Sequence, residues 1–96
     1  MGNPAARVLD WHSCPELTGQ VPHVGGPILA GCWTVFIDGR PAARRGDELF
    51  CQGPTDLIDS GSGTVWIQRL KAARVGDRTA HKGEIITGSP TVFIGG

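Results

Sequence analysis

The chain lacks most of what would mark a membrane protein, a nucleic-acid binder or an enzyme. No apolar run approaches the roughly 18 residues that a membrane-spanning helix requires. The opening "MGNPAARVLD" carries no apolar core of the kind a signal peptide needs. The expectation is a chain made and folded in the cytosol, or one that leaves by a route needing no such signal. Nine basic and nine acidic residues cancel, which removes the electrostatic case for nucleic acid or stable anchoring on an anionic membrane. Three cysteines are few and odd in number. In a reducing compartment such thiols serve as metal ligands or small buried apolar groups rather than disulfides. Neither a Ser-His-Asp spacing nor paired carboxylates on a helical pattern are present. "GSGTVW" (61–66) lacks the Lys and the following helix of a phosphate-binding loop. Fifteen Gly and seven Pro leave little room for long helices. A core drawn from 96 residues stabilises only marginally, so a metal, a disulfide or a partner is expected to support it.

What is present is repetition. "NPAAR" (3–7) returns as "RPAAR" (40–44) and, altered, as "LKAAR" (70–74). Three residues after each Arg comes an Asp (Asp10, Asp47, Asp77), and four beyond that a potential metal ligand (Cys14, Cys51, His81). A second phrase follows each unit: "GGPILAGCWTVFIDG", "GPTDLIDSGSGTVWIQR" and "GEIITGSPTVFIGG". Aligning Gly31, Gly61 and Gly88 brings Thr34, Thr64 and Thr91 into register, then a Val, an aromatic (Phe36, Trp66, Phe93) and an Ile. This β-branched and aromatic run reads as a short strand. "PILAG", "DLID" and "EIITG" read as its partners, across tight turns at Gly31–Trp33, Ser60–Gly63 and Gly88–Pro90. One hairpin is marginal in water, so the three must pack together. Gly2 and Gly96 both fall on the position of Gly39, so three whole repeats form only if the ends meet. The expected fold is all-β: one domain over 1–96, three pseudo-symmetric β-hairpin repeats closed into a cone or prism, with few or no helices. In the middle copy Arg69 replaces Gly39 and Lys71 replaces Pro41, which predicts a turn of different shape. Leu9 stands where Gly46 and Gly76 stand, and a longer loop, Pro15–Pro22, follows.

The chain has six His or Cys residues: His12, Cys14, His23, Cys32, Cys51 and His81. Two registers compete. Counting forward from the Asp aligns Cys14 with Cys51 and His81. Counting back from the next Gly ("HVG", "CQG", "HKG") aligns His23 with them instead. The second register is anchored on the hairpin and is preferred, giving His23, Cys51 and His81 around a pseudo-threefold axis. His12, in the extra loop, adds a fourth ligand from above, and Cys14 is held in reserve. Three imidazoles and a thiolate suit a tetrahedral, structural Zn²⁺. The plainer alternative leaves these His as loop residues and the Cys as small hydrophobes, which is the reading taken for Cys32. Arg7, Arg44 and Arg74 are expected to pair locally with their Asp partners. Phe36, Trp66 and Phe93 are expected to pack in the core or on a sheet face, while Trp11 and Trp33 read equally as exposed contacts or core.

On "NPAARVLD", "PHVGGPI", "VFIDGRPAARRGD", "KAARVGD" and "HKGEIITGSPTVFIGG", the sequence resembles the PAAR-repeat family over essentially its whole length. The resemblance implies a conical β-structure that caps and sharpens the trimeric VgrG-type spike of a type VI secretion system. A monomer would sit on a threefold partner, aid envelope puncture and help deliver effector proteins. It also implies one Zn²⁺ near the tip, held by His12, His23, Cys51 and His81, and no catalysis. The family's route implies a cytoplasmic protein that the secretion apparatus exports once assembled. Two other readings are a zinc-stabilised adaptor that recruits a toxin effector, and a small zinc hydrolase using Asp10 or Glu16 as base.

Overall fold

The computed structural model describes residues 2–18, 21–51 and 55–95, and the side chains of all these except 16–18 and 21–24. Among them every regular element is a strand: β1 (Asn3–Pro4), β2 (Trp11–Thr18), β3 (Val21–Pro27), β4 (Cys32–Ile37), β5 (Arg40–Ala42), β6 (Glu48–Leu49), β7 (Asp56–Leu57), β8 (Trp66–Ile67), β9 (Leu70–Lys71), β10 (Glu84–Ile85) and β11 (Phe93–Ile94). The all-β class holds. In the segment expected as a long loop at 15–22, residues 15–18 and 21–22 are instead strand, β2 pairing with β3 across a bulge between Cys14 and Leu17.

The hairpins form with other partners than the sequence suggested. Each Thr-Val-aromatic-Ile strand pairs forward, with the motif that follows it. Phe36 faces Pro41 and Ile37 faces Arg40 in the β4–β5 hairpin; Trp66 faces Lys71 and Ile67 faces Leu70 in β8–β9. The reason is the two-residue turn between them. Asp38 and Gly39 have φ of 51° and 79°, the conformation for which Asp-Gly is a favoured pair. Gln68 and Arg69 adopt the same conformation, with φ of 47° and 72°. The altered turn therefore keeps its shape, because the pairing on either side leaves only two residues to reverse the chain. Arg69 bears the strain of a left-handed conformation that Gly would adopt freely. The third hairpin is made across the chain ends: Asn3 faces Ile94 and Pro4 faces Phe93 in β1–β11, the register of the other two.

Closure is visible in the backbone. Ala6 N–H donates to the Ala73 carbonyl at 2.9 Å, Ala73 N–H to Ala43 at 3.0 Å, and Ala43 N–H to Ala6 at 3.0 Å. Three chains meeting this closely leave room for methyl groups, which accounts for the Ala-Ala of the repeat. The first Ala of each copy (Ala5, Ala42, Ala72) packs with Ile37, Ile67, Ile94 and Cys32. The second (Ala6, Ala43, Ala73) packs with Ile28, Ile58, Ile85 and Leu49. The repeat glycines fit the same crowding: a Cβ at Gly31, Gly61 or Gly88 would approach a motif-Ala carbonyl to 2.7–2.9 Å. Outward from the axis, Arg7, Arg44 and Arg74 each clasp the expected Asp (Asp10, Asp47, Asp77) through two guanidinium nitrogens, at 2.9–3.2 Å, the strong bidentate form of this pair. Neighbouring copies are stitched by single bridges, Ile28 to Leu49 and Ile58 to Thr79, and by the Ile85–His12 pair of β10 and β2.

Candidate metal centre

Beyond the two apolar tiers the inward face becomes polar. Five residues after the motif Arg stand His12, Leu49 and Thr79, all buried. Seven after it stand Cys14, Cys51 and His81. In β2, strand alternation puts His12 and Cys14 on one face and Ser13 on the other. The Sγ atoms of Cys14 and Cys51 are 3.2 Å apart. His81 Nδ1 lies 3.4 Å from the Cys51 sulfur and 4.0 Å from the Cys14 sulfur. The fourth member is Asp56, whose Oδ2 is 3.9 Å from His81 Nδ1. The ligand atoms of Cys14, Cys51, Asp56 and His81 all lie within 4.8 Å of one another. A tetrahedron built on zinc bonds of about 2.0–2.3 Å has edges of roughly 3.3–3.8 Å, so the cluster is close to the size such an ion takes.

The fold gathers the three members of the forward register, so Cys14 belongs to the cluster. His23 lies in β3, and its side chain is outside the described residues. His12 is not in a loop above the site. It sits on β2, fully buried at the position of Leu49 and Thr79, because β2 is a strand where a loop was expected. A search confined to His and Cys misses Asp56. Aligning Ile28, Ile58 and Ile85 would have exposed it: Asp56 stands where the other copies have Gly26 and Gly83, so it alone sends a side chain inward there.

The fit of a cation rests on two orphaned atoms. His12 Nδ1 is 2.8 Å from the Gly26 carbonyl, which can only accept, so Nδ1 carries a proton; in the neutral ring, the form that binds a metal, Nε2 then holds a lone pair. That lone pair lies 3.3 Å from Asp56 Oδ2 in a fully buried contact. Neither atom has a hydrogen-bond partner among the described residues. Two acceptors facing one another in a dry interior repel, and a shared positive centre reverses the sign. Asp56 Oδ1, by contrast, is satisfied by the N–H groups of His81 and Leu57, at 2.9 and 2.8 Å. The strand carrying His12 and Cys14 is held tightly: a Cβ at Gly83 would fall 1.7 Å from the Ser13 carbonyl, and one at Gly25 2.0 Å from that of His12.

Other candidates separate cleanly. Asp10 accepts from Arg7 and from Thr87 Oγ1, so it is engaged as a structural anion rather than poised as a base. The Glu16 side chain is outside the described residues. Cys32 sits among the Ser62 and Ser89 positions, with its thiol held below the ordinary range by a hydrogen bond with Thr34. Phe36, Trp66 and Phe93 are not core residues; they are 54, 55 and 55% exposed. Trp11 and Trp33 are exposed as well. No helix among the described residues is long and apolar enough to cross a membrane.

A family model described as the PAAR motif matches residues 18–86. Two curated proteins from Pseudomonas aeruginosa strains are each 35% identical to the chain over 82 residues: the NAD(P)(+) glycohydrolase toxin Tse6 and the (p)ppApp synthetase toxin Tas1. The aligned stretch is 74% of this chain and 19% of each relative, so the chain spans about a fifth of the length of the curated relatives it matches.

Proposed function

The chain belongs to the PAAR-motif family, and from that premise we propose that it is a non-enzymatic tip that caps a trimeric VgrG-type spike of a type VI secretion system. One observation carries this. A single chain presents three near-equal apolar faces: Val35, Val65 and Val92 are 36, 37 and 37% exposed, beside equally exposed aromatics at the next position. A threefold partner offers three equal strand ends, and one chain with three pseudo-equivalent hairpins can meet all of them at once. The apolar ring would otherwise face water. Co-purification with a trimeric spike protein at one chain per trimer is the expected result. Val35→Asp, Val65→Asp and Val92→Asp, each in an outward position, should each weaken it. Retention of the spike by the triple variant would sink the reading.

The point of the cone is proposed to hold one structural Zn²⁺. The cluster supports Cys14, Cys51 and His81 as ligands, with Asp56 Oδ2 in the fourth position and His12 Nε2 facing it. Such an ion would join three chain segments where the apolar core has ended. Metal content per chain tests this: Cys14→Ser and Cys51→Ser should both lose zinc. Full zinc in Cys14→Ser, with loss in His23→Ala, would return the site to His12, His23, Cys51 and His81.

An adaptor role, carrying a toxin to the spike, is favoured by the names of the two relatives and by the small share of each that aligns. It is compatible with capping, and it adds a cargo.

A further inference from the structure

Five departures from the repeat fall together. Arg45 replaces Val8 and Val75; Leu57 replaces Pro27 and Glu84; Leu70 replaces Arg40 and Asn3; Lys71 replaces Pro41 and Pro4; Arg69 replaces Gly39. All five line one groove of about 420 Å³ on the flank of the middle copy, with Trp66 among them. Leu57, Leu70 and Trp66 are 43, 40 and 55% exposed and form an apolar floor. The cations stand over it.

Their pairing is as uneven as their placement. Arg7, Arg40, Arg44 and Arg74 each have a carboxylate within ion-pair distance. Arg45, Arg69 and Lys71, like Arg78 and Lys82 outside the groove, have none among the described residues: Arg45 Nε donates to a backbone carbonyl, that of Asp59, and Lys71 Nζ lies 5.9 Å from the Trp66 ring centroid. Asp59 is the lone acid lining the groove, so this wall carries a net positive charge in a chain whose total is zero. Arg69 keeps a left-handed φ of 72° where Gly would be unstrained, and such violations of local preference concentrate at functional positions.

We infer that this groove binds an acidic, extended segment of a partner protein, with apolar side chains seated on Trp66, Leu57 and Leu70 and carboxylates paired with Arg45, Arg69 and Lys71. The charge selects acid, and the apolar floor selects a polypeptide over a nucleic-acid backbone, which would need a longer basic track. The other two flanks lack these residues, so one chain takes one such segment. Trp66 also belongs to the apolar ring assigned to the spike, but the five departing residues do not, so the inference rests on residues that break the threefold pattern.

The test is a titration of the full chain, isotope-labelled for NMR, with a short synthetic peptide of alternating Glu and Leu. Controls are its Gln counterpart and a thymidine oligonucleotide. The Glu peptide should shift the Trp66 indole and the amides of Arg45 and 69–71, and bind more weakly as salt rises. Restoring the repeat with Arg69→Gly and Lys71→Pro, or separately with Arg45→Val, should weaken it roughly tenfold or more while the spectrum stays folded. Equal binding of the Gln peptide, tighter binding of the oligonucleotide at these residues, or unchanged affinity in Arg45→Val would overturn the proposal.

Discussion

Single residues close the ring at its wide end. Asp38, in the turn of the first hairpin, accepts from Ser89 Oγ and Thr91 Oγ1 of another copy and from Arg7. Gln68 Nε2 donates to Thr34 Oγ1 at 2.6 Å, and the Gly95 carbonyl accepts from Ser62 Oγ at 2.6 Å. Each copy thus reaches the Ser or Thr of a neighbour in cyclic order. The Ser89 hydroxyl, then Thr91, hold the Asp38 carboxyl below the usual carboxylate range. A depressed carboxyl stabilises the fold fully above its unfolded value of about 3.9, and the contribution is lost as pH falls through the lower folded value. Asp38→Asn should therefore show a shallower loss of Tm below about pH 4 than the parent, read by thermal melts across that range. Closer to the axis, Ala43 is nearly fully buried and its N–H belongs to the three-membered ring. Ala43→Leu would force branched carbons into that junction, at a cost of about 1–3 kcal/mol, measurable by denaturant unfolding. Asp56 marks the limit of sequence reading at this scale. Its type says nothing until the neighbouring copies are seen to place Gly there.

At the scale of elements, repeat number, strand class and end-to-end closure were legible, because β-branched runs and glycines recur in phase. The partner of each strand was not. "PILAG" and "EIITG" are plausible strands by composition, yet the two-residue turn after Ile37 decides the pairing, and the Asp-Gly there was the available signal. The same logic explains why the Gln68–Arg69 turn survives its sequence: register overrides local preference. Arg69→Gly, which leaves the Gln68–Thr34 hydrogen bond in place, should relieve the strain at Arg69 and raise stability by about 1 kcal/mol, a shift of roughly 4–8 °C in Tm. An unchanged or lowered Tm would mean that the Arg69 side chain supports the fold by contacts that outweigh its backbone strain. Cys14, Cys51 and His81 share one distance from the motif Arg, whereas distance from the next Gly crosses the β2–β3 hairpin.

For the whole molecule, the apolar tiers and the polar cluster hold different ends of an object 38 Å long and 24 Å across. Removing the ion proposed at the cluster should loosen the region around Cys14, Cys51 and His81 while the Ala6–Ala43–Ala73 ring persists. Hydrogen exchange with and without a chelator would register fast amides confined to the narrow end; uniform acceleration would instead mean that the ion supports the entire fold. The pairing of Asn3–Pro4 with Phe93–Ile94 has a consequence in time. The third hairpin joins residues 3–4 to residues 93–94, so a growing chain on the ribosome holds two competent hairpins and an open seam until Ile94 has been made. Closure of the ring must wait for that residue, and until then the unpaired first strand is the part a chaperone would need to shield.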